Sequence, residues 1–428
     1  MHVLLTGANG FIGRYILGAL LAAGHHVVPA VRRPDEIDRL LPAQAAIRVD
    51  MHRDVRPEAW LDRLIGIDAV INCAGVLQGR PGQSIEAIHA AAPKALFEAC
   101  RRMGVCRVIQ ISAVSAEPDA DTAYAATKHA ADRFLAATDL DWVILRPSLV
   151  YAAGAFGGTA LFRALAALPG IVPLIGAGDQ PFQPIHIDDL TATILLLLQD
   201  RAINRMAIDP VGPDRVTLRE LLVDLRAWLG LPRGRVIAIP RTLVAPIARL
   251  GDLIGGPIST TALKQLEFGN AGSADAFMAA TGIRPRRWRD ALRAQPAQWQ
   301  DRWHARLYFV RPLLRGSLLL TWLGSGIVGL AQPSAQLEPL LQRLGLAGPV
   351  GEAMGRGFSL VDLAIALALL LRWRPGLTMT VQLLVVLGYT IGLGLLAPDL
   401  WIDPFGPLLK NLPILAAILA LGALEADR

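Results

Sequence analysis

The chain has 428 residues, 53% of them hydrophobic and 18% charged, with a mean hydropathy of +0.42. Soluble chains carry about 25% charged and 45–50% apolar residues, so this composition excludes both a disordered chain and a wholly water-soluble one. The net charge of +6 includes no basic run with interleaved aromatics, which argues against nucleic-acid binding. Three cysteines (Cys73, Cys100, Cys106) form neither a CxxC pair nor a Cys/His cluster, so no disulfide framework and no metal site is expected.

Short β-branched runs alternate with helical patterns along the first part of the chain. Strands are predicted at His2–Thr6, His26–Val31, Ala69–Cys73, Arg107–Ser112 and Trp142–Arg146, and helices at Phe11–Ala23, Ile85–Arg102 and Tyr124–Ala137. That alternation specifies a doubly wound parallel α/β sheet of the Rossmann type. Between the first strand and helix stands Thr6-Gly7-Ala8-Asn9-Gly10-Phe11-Ile12-Gly13. Its glycines permit a tight turn and a close backbone approach to a pyrophosphate, which the following helix N-terminus attracts. Arg32 and Arg33 end the second strand, where an NAD-selective site usually has an acidic residue. Arginine suits a 2′-phosphate, so NADP is the expected cofactor, with NAD as the alternative. Asp50 is a candidate partner for the adenine amino group.

Tyr124 and Lys128 are four residues apart on one helix face. An ammonium beside a phenol favours phenolate and lowers its pKa toward a useful range for acid/base work. Ser112, at the end of the preceding strand, is placed to hydrogen-bond a substrate carbonyl, with Ser115 in reserve. Beyond Tyr151 the pattern loosens into Gly/Pro-rich loops, and residues 151–300 read as a smaller substrate subdomain. Arg284–Trp303, rich in Arg and Trp, reads as an interfacial helix.

The composition changes at residue 306. Residues 1–305 contain 62 charged residues, and 306–428 contain 16. Four apolar spans are predicted in this second domain: Gly316–Pro333, Gly357–Leu371, Gly376–Ala397 and Phe405–Leu424. Arginines at 306, 311, 315, 372, 374 and 428 place both chain ends in the cytoplasm by the positive-inside rule. The opening apolar run is only one strand long and is not a signal peptide, which agrees with that orientation in a bacterial-type inner membrane. Asp362 and Lys410, lone charges at matching depth, are expected to pair.

The motifs Thr6–Gly13, Asn72-Cys73-Ala74-Gly75, Ser112, Tyr124-Ala-Ala-Thr-Lys128 and Arg146-Pro147-Ser148-Leu149-Val150-Tyr151 resemble the extended and atypical short-chain dehydrogenase/reductases. Pro173–Gly178 and Gln183–Leu190 are similar to the branch holding the NADPH-binding accessory subunit of respiratory complex I, and the tail is similar to DoxX-like membrane domains. The resemblance implies hydride transfer. Tyr124 would be the acid/base, Lys128 would hold the nicotinamide ribose and tune the tyrosine, and Ser112 would polarise the carbonyl. Asn72, Ala74, Gly75 and Pro147 would line the cofactor. The implied substrate is a small, apolar carbonyl or alcohol, and the partners are the membrane and a membrane protein or a second copy. The alternatives are a non-catalytic NADPH-binding assembly or sensor protein and a quinone-linked electron-transfer component.

Overall fold

The computed structural model describes residues 1–40, 45–79, 84–117, 119, 121–254, 258–343, 345–404 and 406–425. The chain divides into two compact units, Met1–Ala305 and Arg306–Arg428. The first unit opens with β1 (His2–Thr6), α1 (Phe11–Ala22), β2 (His26–Val31), α2 (Pro34–Leu40), β3 (Ile47–Arg48), α3 (Glu58–Leu61), β4 (Ala69–Asn72), α4 (Ala92–Met103), β5 (Arg107–Ile111), α5 (Ala123–Ala136) and β6 (Trp142–Leu145). It continues with β7 (Val150–Tyr151), α6 (Gly158–Ala166), β8 (Ile171–Ile175), β9 (Pro181–Phe182), β10 (Ile185–His186), α7 (Ile187–Gln199), β11 (Met206–Ile208), β12 (Val216–Thr217), α8 (Leu218–Trp228), β13 (Arg235–Ile239), α9 (Arg241–Ile254), α10 (Thr260–Phe268), α11 (Ala274–Thr281) and α12 (Trp288–Ala294).

Seven strands form one parallel sheet in the order β11-β6-β5-β4-β1-β2-β3. The order reverses between β1 and β4, so the crevice for a ligand opens beyond their carboxyl ends. Alternation along each strand supplies both faces of the core. Val3, Leu5, Ile71, Ile109 and Val143 pack with α1 and α7 on one face. Leu4, Val70, Val108 and Ile144 pack with α3 and α4 on the other. This burial on both sides explains why the strands read as unbroken apolar runs. A separate core, including Tyr151, Leu174, Leu221 and Trp288, packs β8, α8 and α12 together, whereas α7, β11 and α11 join the core of the main sheet.

Two expected helices are interrupted. The one expected over Ile85–Arg102 begins as a wide π-type turn, Ala87–Ala91, before α4. Pro93 lacks the N–H that would complete the α-helical ladder there. Arg284–Trp303 is likewise not one helix: α12 stops at Ala294, and a new helix starts only after Pro296.

That helix, α13 (Trp299–Ala331), leads into α14 (Ser334–Arg343), α15 (Pro349–Leu371), α16 (Pro375–Leu396) and α17 (Asn411–Glu425). Three of these, α13, α15 and α16, are long and apolar enough to cross a membrane. The fourth expected span is corrected, because α17 has 15 residues and a length of about 22 Å against the about 30 Å of hydrocarbon. Leu318, Trp322, Ile365, Val386 and Ile418 form the core of this bundle. Buried Asp362 accepts from the Ser325 hydroxyl at 2.6 Å and the Tyr389 hydroxyl at 3.3 Å. Lys410 is exposed in the turn before α17, so the expected pairing with Asp362 is not formed. Neighbouring hydroxyls meet the need that the sequence assigned to a distant lysine.

Candidate active site

The glycine turn is built for close backbone approach. Gly7 has φ 66°, and a Cβ there would lie 2.8 Å from the Cys73 carbonyl oxygen. A Cβ on Gly13 would lie 2.1 Å from the Gly7 carbonyl oxygen. The loop therefore folds onto both the end of β4 and the first turn of α1. No side chain caps α1 and no acidic residue stands in its first turn, which leaves its N-terminal N–H groups to an anion. A dinucleotide pyrophosphate fits this cradle. Thr6 and Asn72 face inward instead. The Thr6 hydroxyl donates to Asn72 Oδ1 at 2.5 Å, and Asn72 Nδ2 donates to Gln110 Oε1 at 2.7 Å. Both side chains are fully buried and tie β1, β4 and β5 together under the loop. Phe11 and Ile12 are half-buried, with the Phe11 ring edge-on to Tyr15.

At the end of β2, Arg32 and Arg33 are exposed. Arg33 donates to Glu36 Oε1 at 3.1 Å, and Asn9 Nδ2 of the glycine turn donates to the other oxygen at 2.8 Å. Asp50 lies just past β3, and its carboxylate accepts from the His52 N–H at 3.0 Å. Pro147 is buried, and its carbonyl accepts from the Val114 N–H at 3.2 Å.

The strand and helix carrying Ser112, Tyr124 and Lys128 converge at the carboxyl end of β5. Lys128 Nζ donates at 2.8 Å to the carbonyl of Ile111, the residue that ends the strand. A Cβ on Gly75 would lie 3.3 Å from that Nζ, so the Ala74-Gly75 turn after β4 passes directly over the lysine. Ser112 Oγ donates to Asp132 Oδ2 at 2.7 Å. Ser115 is buried close by in the same loop. Burial pushes the Tyr124 phenol up to about 12, with Asp132 adding to the rise, opposite to the expected direction. Burial also pulls the Lys128 ammonium down. Here desolvation outweighs the attraction of phenolate for ammonium.

Residues 3–207 match the NAD dependent epimerase/dehydratase family, and residues 319–419 match the DoxX-like family. Two successive parts of the chain thus match two families, epimerase/dehydratase first and DoxX-like second. The first is similar to a ceramide reductase of Caulobacter vibrioides, 28% identical over 56% of this chain and 73% of that one. It is also similar to the NADH dehydrogenase [ubiquinone] 1 alpha subcomplex subunit 9 of Arabidopsis thaliana, 28% identical over 55% of this chain and 62% of that one. Among solved structures, MoeE5 in complex with UDP-glucose and NAD superposes with a TM-score of 0.52 at 25% identity, over 71% of this chain and 99% of that one. The epimerase/dehydratase domain is an NAD(P)-dependent oxidoreductase domain, and the DoxX-like domain, with its three apolar helices, makes the chain a membrane protein.

Three residues of the epimerase/dehydratase domain escaped the sequence reading. Asp132 extends the Tyr124–Lys128 face by one more helical turn and is 1% exposed, with Oδ1 unpartnered. The spacing 124, 128, 132 was the available signal. His89 lies under the site, its ring edge-on to Tyr124 at 5.3 Å. Its Nε2 accepts from the Val76 N–H at 3.0 Å, so the proton sits on Nδ1 and is donated to Thr127 Oγ1 at 3.1 Å. Burial, with Lys128 nearby, pushes this imidazole down to about 2, and it is neutral at any ordinary pH. Glu36 is the third, and no motif marks it.

Proposed function

We propose that the chain is a membrane-anchored reductase that moves hydride between NADP(H) and a carbonyl or alcohol on a lipophilic substrate. The meeting of Lys128 with the Gly75 turn at the carboxyl end of β5, with Tyr124 one turn earlier on the same helix, carries this reading. The bound nicotinamide supplies or accepts the hydride. Tyr124 exchanges the proton at the substrate oxygen, and Lys128 holds the ribose beside it. A phenol pushed up to about 12 keeps its proton at neutral pH, which is the state an acid needs in carbonyl reduction. Either Ser112 or Ser115 polarises the carbonyl. Ser115 has the claim that its neighbour's hydroxyl is already committed to Asp132.

Arg32 and Arg33 support NADP over NAD, since both are exposed at the end of β2. The substrate subdomain is assigned largely to residues 151–300, several elements of which share a separate core. The lipophilic substrate is supported by the membrane domain and by the reductase relative named for ceramide. The arginines of the membrane domain support a cytoplasmic catalytic domain in a bacterial-type inner membrane. The competing reading is a cofactor-binding protein that turns nothing over. It draws on the complex I relative and on the Ser112–Asp132 bond.

One variant separates the two readings. In NADPH-oxidation assays against long-chain ketones, Tyr124→Phe should lower turnover by roughly 10²–10⁴-fold while NADPH affinity stays within twofold. Turnover unchanged from the parent protein would overturn the assignment of Tyr124. Absence of turnover across the panel, with NADPH still bound, would favour the binding protein.

A further inference from the structure

The helix α9 carries apolar residues on two sides. Val244, Ala248 and Gly251 face inward: the first two share a small core with Leu263 of α10 and with Ile175 and Ile239, and a Cβ on Gly251 would collide with the Ile258 carbonyl oxygen. One residue earlier, at the same helical spacing, stand Leu243, Ile247 and Leu250, which are 62%, 55% and 56% exposed. Pro246, within that outer stripe, is exposed too. The helices α9 and α10 form an antiparallel pair. Asp252, near the end of α9, accepts from the N–H and the hydroxyl of Thr260, which opens α10. Arg241, at the start of α9, pairs with Glu267 near the end of α10 at 3.0 Å. Phe268, beside Glu267, is exposed as well. A helix that is apolar on both sides needs cover on both sides, and a continuous stripe of this kind marks an interaction surface.

A lipid surface fits as that cover. The chain carries helices that cross a membrane, so its first unit is confined to the neighbourhood of a bilayer. The chain leaves the first unit at Ala305, buried with Leu229 and Ala167, and six residues after Leu229 begins β13, the strand that leads into α9. The charge is complementary to an anionic surface. Residues 231–254 hold Arg233, Arg235, Arg241 and Arg249 against one carboxylate, Asp252. The two carboxylates of the helix pair are engaged within it, whereas Arg233, Arg235 and Arg249 are exposed with no ion-pair partner among the described residues. A second copy fits less well, because a symmetric interface would set the same arginines against each other. The inner side of the pair reaches the candidate active site. Gln265 of α10 donates to the Thr122 hydroxyl at 2.7 Å, and Lys264 pairs with Asp121 at 2.7 Å, both just ahead of Tyr124 in the chain. Docking of α9 therefore bears on the end of α5 that carries Tyr124.

We propose that the outer stripe of α9 lies on the surface of an anionic bilayer, with Leu243, Ile247 and Leu250 among the acyl chains and the arginines at the headgroups. The proposal is independent of the hydride-transfer reading. It is tested with the full chain in phosphatidylglycerol nanodiscs, with the exposed Cys106 replaced by serine. A fluorescent label is placed on Leu243→Cys, Ile247→Cys or Leu250→Cys, and on Ile65→Cys, an exposed position beyond α3, as the control. Nitroxide-bearing lipid should quench the α9 labels severalfold more than the control label. Arg249→Gln should lower the docked-to-free ratio read at Ile247→Cys roughly fivefold, the effect of about one basic residue. Phosphatidylcholine in place of phosphatidylglycerol should lower it at least as much. The three α9 positions are separate variants, so one that fails to fold leaves the test standing. Equal quenching of the α9 and control labels would overturn the proposal. Labels shielded from water but untouched by the nitroxide would also overturn it, showing that protein covers the stripe. A disulfide between two copies of Ile247→Cys would do the same, showing an interface between chains. Equal quenching in the two lipids would overturn the role given to the arginines.

Discussion

If Arg32 and Arg33 hold a 2′-phosphate as proposed, Glu36 bears on cofactor choice. It sits between Asn9 of the glycine turn and Arg33 at the end of β2, accepting from both. A 2′-phosphate brought to those arginines meets a carboxylate that already occupies Arg33. Glu36→Gln removes the repulsion and loosens Arg33, so the ratio of NADPH to NADH affinity should rise roughly fivefold, about 1 kcal/mol. Neutralising Arg32 and Arg33 together should instead erase the preference for NADPH. Fluorescence titration with both cofactors checks each, and an unchanged ratio in Glu36→Gln would place the phosphate elsewhere. His89 gives a second residue-level test, through pH. Its folded pKa, about 2, lies below the unfolded value of 6.5. Below about pH 6.5 the unfolded chain therefore takes up a proton that the folded site refuses, and stability falls as pH falls, by up to about 1.4 kcal/mol per unit. Above pH 7 this contribution is flat. The apparent Tm of the full chain in detergent should drop more between pH 8 and pH 5.5 than that of His89→Gln. Parallel drops would show that another group sets the acid sensitivity.

At the scale of elements, α1 offers an internal comparison between two of its glycines. Gly13 is pressed against the Gly7 carbonyl, whereas a Cβ on Gly18 would meet nothing within 4 Å. Gly13→Ala should abolish measurable NADPH binding and cost about 1–3 kcal/mol, because backbone must move to admit the methyl group. Gly18→Ala should leave binding intact and stabilise the helix by about 0.5–1 kcal/mol. Isothermal titration and thermal melts of both variants decide it, and NADPH binding retained by Gly13→Ala would remove the glycine turn from the cofactor site. The same element shows what was legible in advance. The strands β1, β2, β4, β5 and β6 and the helices α1 and α5 stand within about one residue of their expected limits, because apolar periodicity and the glycine turn are local signals. The two-residue strands β7, β9, β10 and β12 were not legible, since a pair of residues has no period. The Ser112–Asp132, Asn9–Glu36 and Asp362–Tyr389 bonds were equally hidden. Each joins residues that only the tertiary fold brings together, so no spacing rule reaches them.

Over the whole molecule, the open physical matter is how a 15-residue helix completes a membrane domain. Asn411, opening α17, donates to Thr390 Oγ1 on α16 at 2.8 Å. A Cβ on Gly422 would collide with the side chain of Met379, about one turn from the start of α16. Thus α17 runs antiparallel along α16 from Thr390 back to Met379. Its last residue, Glu425, then pairs with Arg315 of α13. The short helix ends at the same level as Arg372 and Arg374, and the outermost turn of α16 extends past its start. In the orientation proposed above, the arginine-bearing end would face the cytoplasm and the segment holding Asp399 and Asp403 would face outward. In that orientation α17 would have to complete a fourth crossing, although among the described residues three helices have full spanning length. Cysteine placed at Asp403 should react with a membrane-impermeant maleimide in intact cells, whereas cysteine at Arg374 or after Glu425 should react only once the membrane is opened. Labelling of the C-terminal cysteine in intact cells would mean that α17 turns back without crossing, and would leave Glu425 unable to reach Arg315.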